Sequence, residues 1–229
     1  MDFSKFEDQL GIYFKDKSLL QKAFTHRSYI NENRKGALEH NERLEFLGDA
    51  VLELVATNFL YNKYPDKNEG DLTSYRSALV NAVTLSEVAS KLGMNEFLLL
   101  SRGEAKDTGR ARQYILANTM EAFIGAIFLD QGYETAEVFI KKYVLSLIDD
   151  IVKKKSWLDA KSFFQEKAQE VEGITPSYTV EKETGPDHDR HFTVAVFIGK
   201  ERVAAGDGKS KQEAEQKAAE NGLKAKEWN

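Results

Sequence analysis

The chain of 229 residues contains no cysteine, so neither a disulfide framework nor a thiolate metal site is available, and a reducing compartment suits it. Proline is scarce, with three in all. Each falls in a predicted connection (Pro65, Pro176, Pro186), where the cost of about 3 kcal/mol for a helix-interior proline is avoided. No stretch approaches the roughly 20 apolar residues that a bilayer-spanning helix needs. The start, MDFSKFEDQLGIYF, has neither a basic n-region nor an apolar h-region, so no secretory signal is expected. These absences point to a soluble, cytoplasmic protein with no membrane partner. An excess of positive charge is missing too. The formal net charge of −5 argues against wrapping nucleic acid by bulk electrostatics, although binding depends on where Lys and Arg cluster rather than on their total.

What is present is a run of carboxylates inside a segment that otherwise suits a buried helix. In NERLEFLGDAVLE, Glu42, Glu45, Asp49 and Glu53 stand at i, i+3, i+7 and i+11, within an arc of about 80° on one helix face. Like charges at this spacing repel by a few tenths of a kcal/mol per pair in water, and by more when partly desolvated. Such a stripe is either a solvated acidic face paired with lysines elsewhere or a seat for a cation. A second element bears on that choice. In YILANTMEAFIGAIFLD, Asn118 and Glu121 are again i, i+3 among apolar neighbours. Two such helices suggest a shared site of hard oxygen donors, which favours Mg²⁺, with Mn²⁺ as a substitute, over zinc.

Along the chain, residues 3 to 150 carry apolar residues at helical spacing with short polar or glycine breaks. Asp71 is the expected N-cap of a helix through LTSYRSALVNAVTLSEVASKLG, and Gly93 its expected stop. The period then changes. After a Lys-rich linker placed at residues 153–158 comes a helix from Lys161 to Glu172, strands at 177–182, 190–198 and 202–208, and an Ala-rich helix capped by Ser210. The fold class is therefore mainly α: an all-helical domain (residues 1–152) followed by a small α+β domain of order αβββα (residues 159–227). Lys153, Lys154 and Lys155 read as solvated linker in preference to a nucleic-acid patch. GDGKS invites a phosphate-loop reading, but the glycine required five residues before Gly208 is Val203. His188 and His191 lack a third ligand, and no zinc site is assigned to them.

The motif ERLEFLGDA resembles the signature of the bacterial ribonuclease III family, and the αβββα unit resembles a double-stranded RNA-binding domain. LLQKAFTHRSY, EGDLTSYRSALVN, ANTMEAFIGAIFLDQGY, FFQEKAQ, GPDHDRHF and GDGKSKQEAEQKAA extend the resemblance over nearly the whole chain. It implies a homodimeric endoribonuclease that hydrolyses double-stranded RNA to 5′-phosphate and 3′-hydroxyl ends and processes rRNA precursors and other structured RNAs. No small-molecule cofactor is expected beyond divalent metal. The implied metal ligands are Glu45, Asp49, Asn118 and Glu121, with Asp49 and Glu121 also catalytic and Glu42 and Glu69 lining the cleavage site. Phe46 would pack against the partner subunit; plain core is the competing reading. Gln165, Glu166 and His188 would enter minor grooves of the RNA, while Lys209 and Lys211 would meet phosphates at a helix N-terminus.

One position departs from the family pattern. Asn118 stands where Asp is usual, keeping an oxygen donor but losing a charge. A natural variant, an engineered inactivating change and a non-cleaving, RNA-binding paralogue remain open, in that order, because Glu42, Glu45, Asp49, Glu69 and Glu121 all survive.

Overall fold

A computed structural model describes residues 2–33, 38–153, 159–186 and 190–228. The chain divides into two compact units, residues 1–157 and 158–229. Most of the expected linker, 154–158, lies outside the described residues.

The first unit is all helix: α1 (Ser4–Leu10), α2 (Lys17–Ala23), α3 (Arg27–Glu32), α4 (Glu42–Lys63), α5 (Glu69–Val80), α6 (Ala82–Lys91), α7 (Arg110–Gln131), α8 (Tyr133–Tyr143) and α9 (Ile148–Lys153). Its centre is α7, whose run from Ile115 to Ile127 is buried at every position but Asn118 and Glu121. Phe123 anchors an aromatic cluster, with ring centroids 5.4 Å from Phe6 and 5.3 Å from Phe139. Glu7 is the charged residue of this core. Its carboxylate accepts from the Phe14 amide at 2.8 Å and from Lys17 Nζ at 2.5 Å, tying α1 to the start of α2.

Two sequence expectations are corrected here. The N-cap of α5 is Asn68, whose side chain accepts from the Asp71 amide at 2.8 Å, so Asp71 lies inside the first turn. The expected single helix from 72 to Gly93 is two helices. Asn81 leaves the helical region at ψ 160°, and its side chain accepts from the Thr84 amide, ending α5 and capping α6 with one residue. Gly93 does follow α6, at φ +73°.

The second unit comprises α10 (Ala160–Glu172), β1 (Ser177–Thr184), β2 (His191–Ile198), β3 (Glu201–Gly208) and α11 (Lys211–Ala225). The strands form an antiparallel sheet in the order β1-β2-β3, with a bulge between Val180 and Lys182. Phe192, Val194, Val196 and Ile198 alternate onto one face and are buried with Phe164, Ala214 and Ala218 from the two helices. Gly206 and Gly208 let α11 lie against β3: a Cβ on Gly206 would come within 2.2 Å of the Ala218 nitrogen.

Candidate active site

The site begins with two residues that have no side chain. Where α4 crosses α7, a Cβ on Gly48 would lie 1.7 Å from the Glu121 carbonyl oxygen, and one on Gly125 would lie 2.3 Å from the Leu44 carbonyl oxygen. The two backbones therefore touch. Glu45 and Asp49 flank Gly48, and Glu121 is about one turn before Gly125, so the crossing carries carboxylates of both helices to one place.

The electrostatics record that convergence. Burial pushes the Glu121 carboxyl up to about 8, and the charges of Asp49, Glu45 and Glu53 add to the rise. Burial also raises Glu45, helped by Glu42 and Asp49, while a hydrogen bond from the Asn118 amide pulls the other way. Asn118 thus meets Glu45 as a donor. Glu42 is held between Arg27, with Nη1 at 3.4 Å, and His40, with Nδ1 at 3.7 Å. Glu53 is neutralised by Arg76 Nε at 2.8 Å. Among the described residues, no group of three or more His, Asp or Glu side chains stands close enough to hold an ion as placed. The donor set has its location and its charge, but no closed cage.

Glu69 opens α5, accepts from the Thr73 hydroxyl at 3.1 Å, and lines a depression of about 440 Å³ with Tyr61, Lys67 and Arg76, the partner of Glu53. Phe46 is 82% exposed, which overturns its reading as plain core. Leu54 and Tyr61 are 58% and 70% exposed on the same helix, so α4 presents an apolar face besides its acidic one. Gly48, Gly125 and Arg76 were missed in the sequence, whereas Glu53 was read there as part of the acidic stripe. The signal for the glycines was there, as small residues inside otherwise bulky apolar helices.

In the second unit Gln165 and Glu166 are exposed on α10, and Lys209 and Lys211 are exposed where α11 begins. Ser210 caps α11 by accepting from the Glu213 amide at 3.1 Å, and Glu213 accepts from the Lys209 amide at 2.8 Å. The cap holds both lysines beside the free N–H groups of the first turn. Lys211 Nζ lies 5.7 Å from the Phe192 ring centroid. His188 falls outside the described residues.

A helical unit with acids gathered at a helix crossing, joined to an αβββα unit with lysines at a helix start, is the layout of a two-domain nucleic-acid-processing protein. Residues 16–148 match the family described as Ribonuclease-III-like, and residues 160–226 match the Double-stranded RNA binding motif. Ribonuclease 3 of Bacillus licheniformis is 46% identical over 96% of this chain and 88% of its own length. Ribonuclease 3 of Borreliella burgdorferi is 44% identical over 98% and 91%. Among solved structures, the nuclease domain of ribonuclease III from Campylobacter jejuni superposes with a TM-score of 0.58 at 39% identity, covering 63% of this chain and 97% of that one. The chain belongs to the ribonuclease III family.

Proposed function

We propose that this protein is an endoribonuclease that cleaves double-stranded RNA with the help of divalent metal, using Glu45, Asp49, Asn118 and Glu121 as the metal-holding set. The observation that carries this reading is the approach of Glu45 and Asp49 to Glu121 across the Gly48–Gly125 contact. The donors fit a hard cation: carboxylate oxygens and an amide carbonyl, with burial, and after it the neighbouring charges of Asp49, Glu45 and Glu53, pushing Glu121 up to about 8. Bound Mg²⁺ or Mn²⁺ would supply a water activated near neutral pH and relieve charge on the leaving 3′ oxygen.

The protein's own contributions are positional. Rigid helices hold the carboxylates in place. The Asn118 amide orients Glu45, and Arg27 with His40 restrains Glu42 at the edge of the site. The products are 5′-phosphate and 3′-hydroxyl ends, and rRNA precursors and other structured RNAs in the cytoplasm are the substrates. The chain works as a homodimer in which the exposed face of α4, Phe46 with Leu54 and Tyr61, meets its counterpart. Glu69, at the start of α5, lines the cleavage site of the assembled dimer.

The second domain supplies affinity. A-form RNA hides its base edges in a deep, narrow major groove, so recognition runs through 2′-hydroxyls and phosphates over about 16 bp. Gln165, Glu166 and His188 face minor grooves, and Lys209 with Lys211 meets the phosphates between them. Residues 1–152, 153–158 and 159–227 are nuclease domain, linker and RNA-binding domain. The test is incubation of long double-stranded RNA with the protein in Mg²⁺ or Mn²⁺, beside Asn118→Asp and Glu121→Ala. Short duplexes are expected from the natural protein and from Asn118→Asp, with Glu121→Ala slower by 100-fold or more. Equal cutting by Glu121→Ala would defeat the site assignment. Cleavage by Asn118→Asp alone would make the natural protein an RNA-binding dimer.

A further inference from the structure

A second, open depression lies in the helical unit, between α6 and the start of α7. It has a volume of about 950 Å³, and Ser86, Ser90, Lys91, Asn95, Arg110 and Arg112 contribute to its lining. Glu87 is the one carboxylate on its wall. The carboxylates of the active site belong to another face of α7. Gln113 and Leu116 line this cavity, whereas Glu121 and Gly125 face α4.

The chain carries net negative charge, and several of its cations pair with carboxylates, as in Lys17–Glu7, Arg76–Glu53 and Arg202–Glu181, while exposed ones such as Lys5 and Lys15 form no such pair among the described residues. Among the described residues, none of Lys91, Arg110 and Arg112 forms such a pair. Arg112 is the most telling of the three. It is half-buried and held by neutral acceptors, with Nη1 donating to Asn95 Oδ1 at 2.8 Å and Nη2 to the Glu104 carbonyl at 2.7 Å. Its Nε is buried with no hydrogen-bond partner. A guanidinium positioned this firmly in a partly desolvated place, with no counter-charge, is costly unless an anion joins it. At the start of α7 the first turn has no acidic residue, and the nearest carboxylate, Asp107, is engaged by the Gly109 amide at 2.7 Å.

We propose that this cavity binds a phosphate group, with Lys91, Arg110 and Arg112 supplying the charge that holds it. The volume suits a ligand of nucleotide size. The phosphate comes either from the backbone of a bound RNA strand or from a free phosphorylated small molecule, and one set of measurements separates the two.

The full chain, Lys91→Gln/Arg110→Gln and the control Lys5→Gln/Lys15→Gln are compared without divalent metal. All four lysines and arginines are exposed, and unfolding midpoints without ligand verify that both variants fold. Inorganic pyrophosphate is titrated while the thermal midpoint is followed, and double-stranded RNA binding is measured across a salt series. In the free-ligand case, pyrophosphate raises the midpoint saturably, at least fivefold less tightly in the cavity variant than in the control, and the salt slopes agree. In the RNA case, the slope of log K against log salt falls by about two in the cavity variant alone, one for each phosphate no longer neutralised. The proposal is overturned if the cavity variant matches the control in both measurements.

Discussion

Glu121 is ionised only at a cost. An ordinary glutamate loses its proton near 4.5, whereas this one is pushed up to about 8. Below pH 4.5 it is protonated folded or unfolded, and stability is unaffected. As the pH rises from there to 8, the unfolded chain releases the proton while the folded chain keeps it, so stability declines, and above 8 the whole penalty is present. Glu121→Gln is therefore expected to stabilise the metal-free protein by about 1–2 kcal/mol at pH 8, after allowing for solvent screening, and by nothing near pH 4.5. Guanidinium midpoints at the two pH values measure this; an equal effect at both would contradict the assignment. Asn118→Asp adds a charge beside Glu45 and should do the reverse, lowering metal-free stability at pH 8. It should also lower the Mg²⁺ concentration for half-maximal cleavage severalfold. At this scale the acids were legible because their spacing alone placed them on one face. The glycines that bring them together were not, since a glycine inside a helix ordinarily marks a weak point rather than a contact.

At the scale of elements, α4 does two jobs on two faces. Its carboxylates turn toward α7, and Phe46, Leu54 and Tyr61 turn outward. Leu54→Glu or Phe46→Ala should shift sedimentation at micromolar concentration toward the monomer, with secondary structure by circular dichroism unchanged. A dimer as tight as the natural one would remove this face from the interface. The crossing itself is less forgiving. Gly125→Ala puts a methyl group where a carbonyl oxygen already lies at 2.3 Å, and should destabilise by about 3 kcal/mol, the upper range for overpacking. Helical periodicity disclosed the long elements and the αβββα order. It gave no sign of the break at Asn81, where apolar spacing runs on through 81 while one amide side chain redirects the backbone. It also could not separate Phe46 from core, because exposure on a partner-facing surface and burial call for the same residue type.

For the whole molecule, division of labour is the testable property. A chain ending at Lys153 keeps the helical core and should fold, since among the described residues no buried member of the first unit's core comes from the second. It should bind double-stranded RNA at least tenfold more weakly at physiological salt yet retain cleavage at low salt. Equal activity of the two forms at both salts would contradict the separation of binding from cutting. The two-part architecture was evident from the change of period near residue 160, whereas the separate cavity of Lys91, Arg110 and Arg112 was not. Lys91 lies far enough from Arg110 and Arg112 in the chain that only the packing of α6 on α7 brings them together.

The glycine contacts between α4 and α7 also fix where any rocking of these two 22-residue helices would turn, since their backbones come closest at Gly48 and Gly125. With a rise of about 1.5 Å per residue, Asp49 is about 1.5 Å along its axis from the fulcrum and Glu121 about 6 Å, whereas Lys63 is about 22 Å away. A rocking of about 5° thus displaces the end of α4 by about 2 Å and Asp49 by only about 0.1 Å. The carboxylates occupy the short arms of both levers, so a rocking that displaced the helix ends would leave their spacing nearly constant.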